Sequence, residues 1–220
     1  MNQELIHVYF MPGMAANPKI FEYVELPTER FKVHYLEWFI PNPKESLSGY
    51  AERMSQFIKH DKAVLIGVSF GGILVQEMKA FLDVRKVIII SSVKTRFELP
   101  KRMKILRMTG AYKLIPTQLA SNIDALAKYA FGKVVTKRIE LYKKYLSVSD
   151  KRYLDWAIRQ IMLWERTEID QDVIHIHGEK DAVFPISNLT EPLIVKGGSH
   201  IMIINKYKWF NEHLPELILR

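Results

Sequence analysis

The chain has 220 residues, of which 48% are hydrophobic and 25% charged, a composition typical of one globular domain or of a domain with an insertion. Cysteine is absent, which excludes disulfides, cysteine-ligated zinc and a cysteine nucleophile. The N-terminus lacks the basic segment of a signal peptide, and no apolar stretch approaches the ~18 residues of a membrane span. We therefore expect a cytoplasmic protein without a transmembrane segment.

The formal net charge is +8 at pH 7, and the excess positive charge lies in the middle of the chain. Such charge can attract nucleic acid, anionic lipid or an acidic substrate. The basic residues are interleaved with apolar residues at helical spacing, which favours solvated helix faces over a dedicated binding patch. We expect no nucleic-acid partner, while attraction of an anionic substrate or lipid stays open. The residues concerned are Lys94, Arg96, Lys101, Arg102, Lys104, Arg107, Lys133, Lys137, Arg138, Lys143, Lys144, Lys151 and Arg152.

The first part of the chain alternates between strand-like and helical patterns. Residues 5–11 form a strand-like run, and residues 12–18 are rich in turn-forming residues. Residues 31–38 predict a second strand. Residues 46–58 carry apolar side chains at spacings of three and four, which predicts a helix.

A continuous apolar run at residues 63–68 predicts a strand that is buried on both faces of a parallel sheet. The chain then turns sharply, and residues 73–81 predict a helix. Strand, Gly-x-Ser-x-Gly and helix together are typical of a nucleophile elbow, which exposes the Oγ atom of Ser69 above the sheet. Side chains at Gly67 and Gly71 would collide with the neighbouring strand and helix. The alternative is an ordinary turn in which Ser69 caps the helix, but the flanking patterns favour the elbow.

Residues 87–92 predict a fourth buried strand, after which the strand pattern stops. Between about residues 93 and 164 three apolar groups share helical faces, which predicts a helical insertion. The groups are Leu119, Ile123, Leu126 and Ala130; Val135, Ile139, Tyr142 and Leu146; and Tyr153, Leu154, Ala157, Ile158 and Ile161, with Asp150 near the start of the third. Strand patterns return at residues 172–178 and 192–195, and residues 202–219 have helix-compatible spacing.

Strands that alternate with helices predict an α/β fold with a mainly parallel, doubly wound sheet of about six strands. Sites in such sheets form at the carboxyl ends of the strands. Ser69, the loop at residues 12–14, Asp181 and His200 each follow a predicted strand. The sequence therefore predicts that these residues meet at one edge of the sheet.

The residue types at these positions suit nucleophilic catalysis. A serine hydroxyl is a weak nucleophile until a base takes its proton, and a third group must orient that base. The chain order Ser69, Asp181, His200 is the order found in α/β-hydrolases. In this arrangement His200 takes the proton of Ser69, and Asp181 holds the imidazole in the required tautomer.

An oxyanion hole would require two backbone N–H groups near Ser69. Phe70 directly follows the nucleophile, and Met14 lies in the loop after the first strand. Pro12 has no N–H group, and Gly13 permits the unusual backbone that such a loop needs. We therefore expect Phe70 and Met14 to supply the donors.

Other residues could fill these roles. Glu179 and Asp172 are alternative acids, but Asp172 lies at the wrong end of its strand, and Glu179 is closer to the strand end than the spacing in α/β-hydrolases implies. No histidine spacing indicates a metal-ligand cluster. The alternative histidines fall in strands or at helix ends, where a structural role is more common: His7, His34, His60, His175, His177 and His213.

The sequence resembles a small member of the α/β-hydrolase superfamily. The segments that carry the resemblance are residues 67–72, 177–185 and 197–200. The resemblance implies that the fold's first two strands are missing, and that residues 93–164 form a cap or lid on a core of residues 1–92 and 165–220. The family often has His-Gly where this chain has Pro12-Gly13.

The resemblance also implies a function. It points to a serine hydrolase without cofactor or metal, which cleaves a carboxylic ester or thioester of a small-molecule acyl substrate through an acyl-enzyme. The alternative is a ligand-binding protein on the same scaffold, because a fold does not fix a function. The sequence does not indicate the acyl chain, the leaving group or the oligomeric state.

Overall fold

The computed structural model describes residues 5–114 and 144–220. Its centre is a six-stranded sheet in which all neighbouring strands are parallel, in the order β2-β1-β3-β4-β5-β6. The prediction of a parallel sheet of about six strands is confirmed. The strands are β1 Ile6–Met11, β2 Phe31–Tyr35, β3 Ala63–Val68, β4 Val84–Ile90, β5 Val173–Gly178 and β6 Leu193–Val195.

The chain starts at β1, runs out to β2 at one edge, and returns to β3 on the other side of β1. The direction of winding therefore reverses between β1 and β3, and the carboxyl ends of these two strands border the crevice where α/β sheets bind ligands.

Helices cover the sheet. Among the described residues they are α1 Leu47–Ser55, α2 Phe70–Met78, α3 Lys101–Thr109, α4 Lys151–Leu163, α5 Met202–Asn205 and α6 Tyr207–Leu219. Helix α2 packs against β3, β4 and α1. Every residue of β3 is buried, which explains its continuous apolar sequence, since a central parallel strand has no solvated face.

Several boundaries differ from the sequence prediction. The second strand ends at Tyr35 rather than at residue 38, because β1, the strand on which it pairs, itself ends at Met11. The helix after β3 begins at Phe70, directly at the turn, rather than at residue 73. The C-terminal helix is divided at Lys206, where φ is −118° and ψ is 23°.

The described parts of residues 93–164 contain helices α3 and α4 and no strand. The third predicted helix is confirmed as α4, and the Asp150 side chain caps it by accepting from the Arg152 N–H at 2.8 Å. Leu146 does not lie in a helix, since it forms an isolated antiparallel bridge with Ala16. The group that begins at Leu119, and the other members of the group that begins at Val135, lie outside the described residues. In the described ranges no helix is both long and apolar enough to cross a membrane.

Candidate active site

Ser69 lies at the turn between β3 and α2 with φ 53° and ψ −119°, a backbone conformation that costs a non-glycine residue energy. Its N–H donates to the Ile90 carbonyl at 2.9 Å. The Ser69 side chain makes no capping hydrogen bond to α2, so the interpretation as an N-cap serine is wrong. The strained turn leaves the hydroxyl available for another partner.

The two elbow glycines lie against backbone. A Cβ atom on Gly67 would lie 2.6 Å from the Gly72 nitrogen, and one on Gly71 would lie 2.6 Å from the Met11 carbonyl oxygen. Both distances are well inside van der Waals contact. The elbow can therefore pack against itself and against the end of β1 only if both positions lack a side chain.

Ser69, His200 and Asp181 come together at the carboxyl edge of the sheet. The Ser69 Oγ atom lies 3.0 Å from His200 Nε2, and His200 Nδ1 lies 2.8 Å from Asp181 Oδ2. A carboxylate can only accept, so Nδ1 carries the proton and Nε2 accepts from the serine hydroxyl. This is the tautomer that a general base needs.

Asp181 is held in place by the loop that carries it. Its Oδ1 atom accepts from the N–H groups of Val183 and Phe184 at 2.8 and 3.0 Å. Burial is the largest influence on the Asp181 carboxyl and opposes its ionisation, but the nearby histidines His200 and His177 and the Phe184 amide together hold its pKa below the ordinary value. The acid is therefore ionised at neutral pH although its side chain is fully buried.

Two more histidines lie behind the acid. His177 Nε2 lies 2.9 Å from the Phe184 carbonyl oxygen, which can only accept, so His177 carries its proton on Nε2. Its Nδ1 atom therefore accepts from His175 Nε2 at 3.1 Å. Burial lowers the pKa of His177 and lowers that of His175 to about 3, so both rings are neutral at pH 7.

The alternative acids are engaged elsewhere. Glu179 is exposed and accepts from the Gly197 N–H at 2.7 Å. Asp172 is 89% exposed and pairs with Lys79. Glu98, a buried carboxylate that sequence reasoning did not single out, accepts from the backbone N–H groups of Lys94 and Thr190. Only Asp181 among these acids is bonded to His200.

Residues 12–16, which we name the oxyanion loop for the role expected of Met14, lie beside Ser69. A Cβ atom on Gly13 would lie 3.4 Å from the Ser69 Cβ atom. The Phe70 N–H is in the first turn of α2, where a helix offers no acceptor of its own. Met14 is partly buried against the core.

Trp38 supports the oxyanion loop from outside. Its indole N–H donates to the Gly13 carbonyl at 2.8 Å, and its ring stacks on that of Phe70 with centroids 5.0 Å apart and planes 6° apart. Tyr153 of α4 contributes from the other side, since its hydroxyl accepts from the Ala15 N–H at 3.4 Å.

Residues 145–148, which precede α4 in the predicted insertion, are hydrogen-bonded to the same loop and to Asn17, the residue that follows it. The Asn17 N–H donates to the Tyr145 carbonyl at 2.9 Å, and the N–H groups of Ser147 and Val148 both donate to the Ala15 carbonyl at 3.1 Å.

Three residues that support the site were not identified as such from the sequence, namely Trp38, Ser92 and His177. Ser92 follows β4 and donates to the Ser69 carbonyl at 2.7 Å, so it braces the elbow. Trp38 and Ser92 both lie just beyond the carboxyl end of a strand, the same signal that identified Asp181 and His200. His177 ends β5.

Many basic residues of the predicted insertion have partners. Arg96 and Arg107 both pair with Glu165, Lys144 with Glu22, and Lys151 with Asp155. Residues 133, 137, 138 and 143 lie outside the described residues. These four cations therefore fit solvated, ion-paired faces, whereas Lys94 is buried.

No family model and no curated protein sequence matches the chain. Solved structures do match it. A hydrolase from Pseudomonas aeruginosa PA01 is 14% identical with a TM-score of 0.74, over 97% of this chain and 90% of the other. A thermophilic esterase from Thermogutta terrifontis is 12% identical with a TM-score of 0.74, over 99% of this chain and 91% of the esterase. The chain has the α/β-hydrolase fold.

An enol-lactonase from Burkholderia xenovorans LB400 has the same fold, at 12% identity and a TM-score of 0.72 over 99% of this chain and 92% of the other. In this chain the α/β-hydrolase fold is built on six described parallel strands. The sequence-based resemblance to this superfamily is confirmed at the level of the fold.

Proposed function

We propose that the protein is a serine hydrolase that cleaves a carboxylic ester or thioester through an acyl-enzyme intermediate. The observation that carries the proposal is the unbroken hydrogen-bonded path from Ser69 Oγ through the His200 ring to Asp181 Oδ2. Each of the three residues follows a different β-strand at the same edge of the sheet. Such convergence from distant parts of the chain is the geometric signature of nucleophile, base and orienting acid.

In the first half of the reaction, Ser69 Oγ attacks the acyl carbonyl carbon while its proton passes to His200 Nε2. The carbonyl oxygen becomes an oxyanion in the tetrahedral intermediate. When the intermediate collapses, the bond to the alcohol or thiol breaks, and that leaving group takes the proton from His200. Asp181 stabilises the imidazolium while it exists.

In the second half, a water molecule attacks the acyl-enzyme and gives a proton to His200 Nε2. The second tetrahedral intermediate releases the carboxylic acid, and the proton returns to Ser69 Oγ. The free enzyme is restored, so the cycle needs no cofactor.

The N–H groups of Phe70 and Met14 are the proposed oxyanion donors. The Phe70 amide lies at the positive end of the helix dipole of α2, which favours negative charge at this point. Trp38 and Tyr153 restrain the loop that carries Met14. Preorganised donors of this kind stabilise the oxyanion without having to reorganise during the reaction.

Residues 93–164 are the proposed cap. The support comes from α4, which places Tyr153 and Trp156 in one aromatic cluster with Trp38 and Phe70. The Trp38–Tyr153 and Phe70–Trp156 ring centroids are 5.3 and 5.8 Å apart. Helix α4 therefore packs directly on residues that surround Ser69, where side chains of the cap would help to shape the pocket for a small-molecule acyl substrate.

Intact mass spectrometry after treatment with a fluorophosphonate tests the function. Wild type and Ser187→Ala, which removes an exposed serine, should each gain one adduct, and Ser69→Ala should gain none. In an ester and thioester panel, Ser69→Ala should lose hydrolysis, and Asp181→Asn should lose about 10⁴-fold in kcat, as in other serine triads. Undiminished turnover by Ser69→Ala would refute the proposal. Ligand binding without turnover or adduct, in wild type and Ser69→Ala alike, would favour the ligand-binding alternative.

A further inference from the structure

Three histidines converge on one face of the sheet, away from the candidate active site. His7 is near the amino end of β1, His34 is on β2, and His60 lies just before β3. Ser69, in contrast, follows the carboxyl end of β3. One nitrogen from each histidine lies within 4.8 Å of the others, and within the described ranges no other set of three or more His, Cys, Asp or Glu residues does this.

The sheet itself brings the three rings together. In the parallel pairing of β1 with β2, Tyr9 lies opposite His34 and His7 lies opposite Lys32. Residues 7, 9, 32 and 34 therefore point to the same face. His7 Nδ1 lies 2.9 Å from His34 Nε2, and the rings of His34 and His60 have centroids 5.0 Å apart. All three side chains are half-buried.

The chemistry of this donor set selects a class of ligand. Imidazole nitrogen suits zinc, copper, nickel and iron, whereas magnesium and calcium prefer carboxylate and carbonyl oxygen. The group holds no carboxylate and no thiolate. Three nitrogens in tetrahedral coordination lie about 3.3 Å apart when each is ~2.0–2.1 Å from the ion, and a water molecule completes the shell. The 2.9 Å separation of His7 and His34 is close to that spacing.

Tyr9 positions the third ring. Its hydroxyl lies 2.6 Å from His60 Nδ1 and accepts from the Lys59 N–H at 3.1 Å. A hydroxyl oxygen can accept both N–H groups, so His60 Nδ1–H can donate to Tyr9 and leave Nε2 for an ion. Metal-binding histidines usually have such a partner, which fixes the ring and its tautomer.

We propose that His7, His34 and His60 form a binding site for one divalent transition-metal ion such as Zn²⁺, with water at the fourth position. The ion takes the place of the proton that lies between His7 Nδ1 and His34 Nε2. That proton moves to the second nitrogen of the ring that carries it. The rings of His7 and His60 are stacked 3.4 Å apart with planes 7° apart, so they turn out of this stack to point at one ion. The sheet already fixes the backbones of His7 and His34, and His60 lies three residues before β3, so the rearrangement is mainly one of side-chain torsions.

The bound ion would join the edge strand β2 to β1 and to the segment that precedes β3. This role is independent of hydrolysis at Ser69. A protein without turnover could still bind the metal, and a hydrolase could lack it, so the two proposals succeed or fail separately.

The test uses untagged protein freed of metal with EDTA and then dialysed. Calorimetric titration with Zn²⁺ should give one equivalent per chain, and Co²⁺ should give the intense visible absorption of a tetrahedral complex. His34→Gln and His60→Gln should each weaken binding by about tenfold or more, and Tyr9→Phe by about tenfold, the lower end of effects seen for residues that support metal ligands.

Two controls locate the site. His213→Gln removes a half-buried histidine on α6 that contacts Trp209, and His200→Gln removes the proposed catalytic base. Both should bind Zn²⁺ as wild type does. Circular dichroism identifies any variant that fails to fold. If one of His34→Gln and His60→Gln does not fold, the zinc affinity of the other one tests the proposal. No saturable binding by wild type, equal binding by a folded cluster variant, or loss of binding in His200→Gln would overturn the proposal.

Discussion

The carboxylate of Asp181 lies between two histidines. His177 Nε2 lies 3.3 Å from Asp181 Oδ2, the same oxygen that accepts from His200 Nδ1 at 2.8 Å. The side chains of His177 and Asp181 are both fully buried. His200 faces Ser69. His177 lies behind the acid and donates to the Phe184 carbonyl, so the acid is enclosed from two sides.

His177→Phe should slow hydrolysis although its side chain does not reach Ser69. Phenylalanine cannot donate to the Phe184 carbonyl, so the segment whose Val183 and Phe184 amides hold Asp181 loses one of its constraints. We expect kcat/KM to fall by about tenfold or more, but by less than the ~10⁴ that loss of the triad acid costs. Steady-state kinetics and the rate of fluorophosphonate labelling should fall together. His177→Gln keeps an N–H donor and should recover part of both rates, and a folded His177→Phe with wild-type rates would exclude the positioning role.

Trp38→Phe should affect chemistry more than stability. The change keeps a ring against Phe70 but removes the donor to the Gly13 carbonyl, which loosens the oxyanion loop. We expect the unfolding free energy to fall by about 1 kcal/mol, the usual contribution of one hydrogen bond, and kcat to fall clearly. Trp164→Phe is the matched control, because it removes an indole N–H that donates to Glu77. Equal effects of the two variants on kcat would contradict the prediction.

Gly71→Ala should destabilise the fold. The added methyl group would lie 2.6 Å from the Met11 carbonyl oxygen, and neither the elbow nor β1 can move without losing sheet hydrogen bonds. We expect a loss of at least about 1–3 kcal/mol, the usual cost of overpacking, measured by urea denaturation. Gly49→Ala, within α1, meets only ordinary contacts and should be neutral or stabilising because alanine favours helix. A Gly71→Ala protein as stable as wild type would refute the packing argument.

Stability should fall as the pH falls below neutrality, in part through His175. Burial lowers the pKa of His175 to about 3, whereas the unfolded residue titrates at about 6.5. The unfolded chain therefore binds a proton that the folded chain does not, so stability rises with pH between these values. The contribution of this residue is about 2 kcal/mol between pH 7 and pH 5.

Urea denaturation at pH 7, 6 and 5 measures this effect, and His175→Gln should show a shallower dependence on pH than wild type. A variant whose unfolding free energy changes with pH as steeply as that of wild type would show that His175 does not cause the slope.

The sequence predicted the strands well because central parallel strands are buried on both faces and leave short continuous apolar runs. The expected meeting of Ser69, Asp181 and His200 followed from the strand ends together with the Gly-x-Ser-x-Gly pattern and the chain order of α/β-hydrolases. The roles of Trp38 and Ser92 did not, because they depend on contacts with Gly13 and Ser69 that span 25 and 23 positions of the chain.

The histidine cluster is a second example of contacts between distant residues that local sequence patterns do not predict. His7 and His34 are 27 positions apart, and no short spacing marks them as neighbours. Their proximity comes from the register of β1 against β2, which the apolar pattern alone does not reveal. Local sequence patterns therefore predict secondary-structure elements and the ends of strands. The identification of residues that are neighbours on adjacent strands also requires the register between those strands.

The hydrogen bonds between residues 145–148 and the oxyanion loop have a mechanical consequence. An outward swing of this segment would pull on the backbone at Ala15 and Asn17, next to the amide proposed to receive the oxyanion. The loop that carries Met14 would therefore be displaced whenever this segment was displaced. The proposed oxyanion site would then be complete only while residues 145–148 kept these hydrogen bonds.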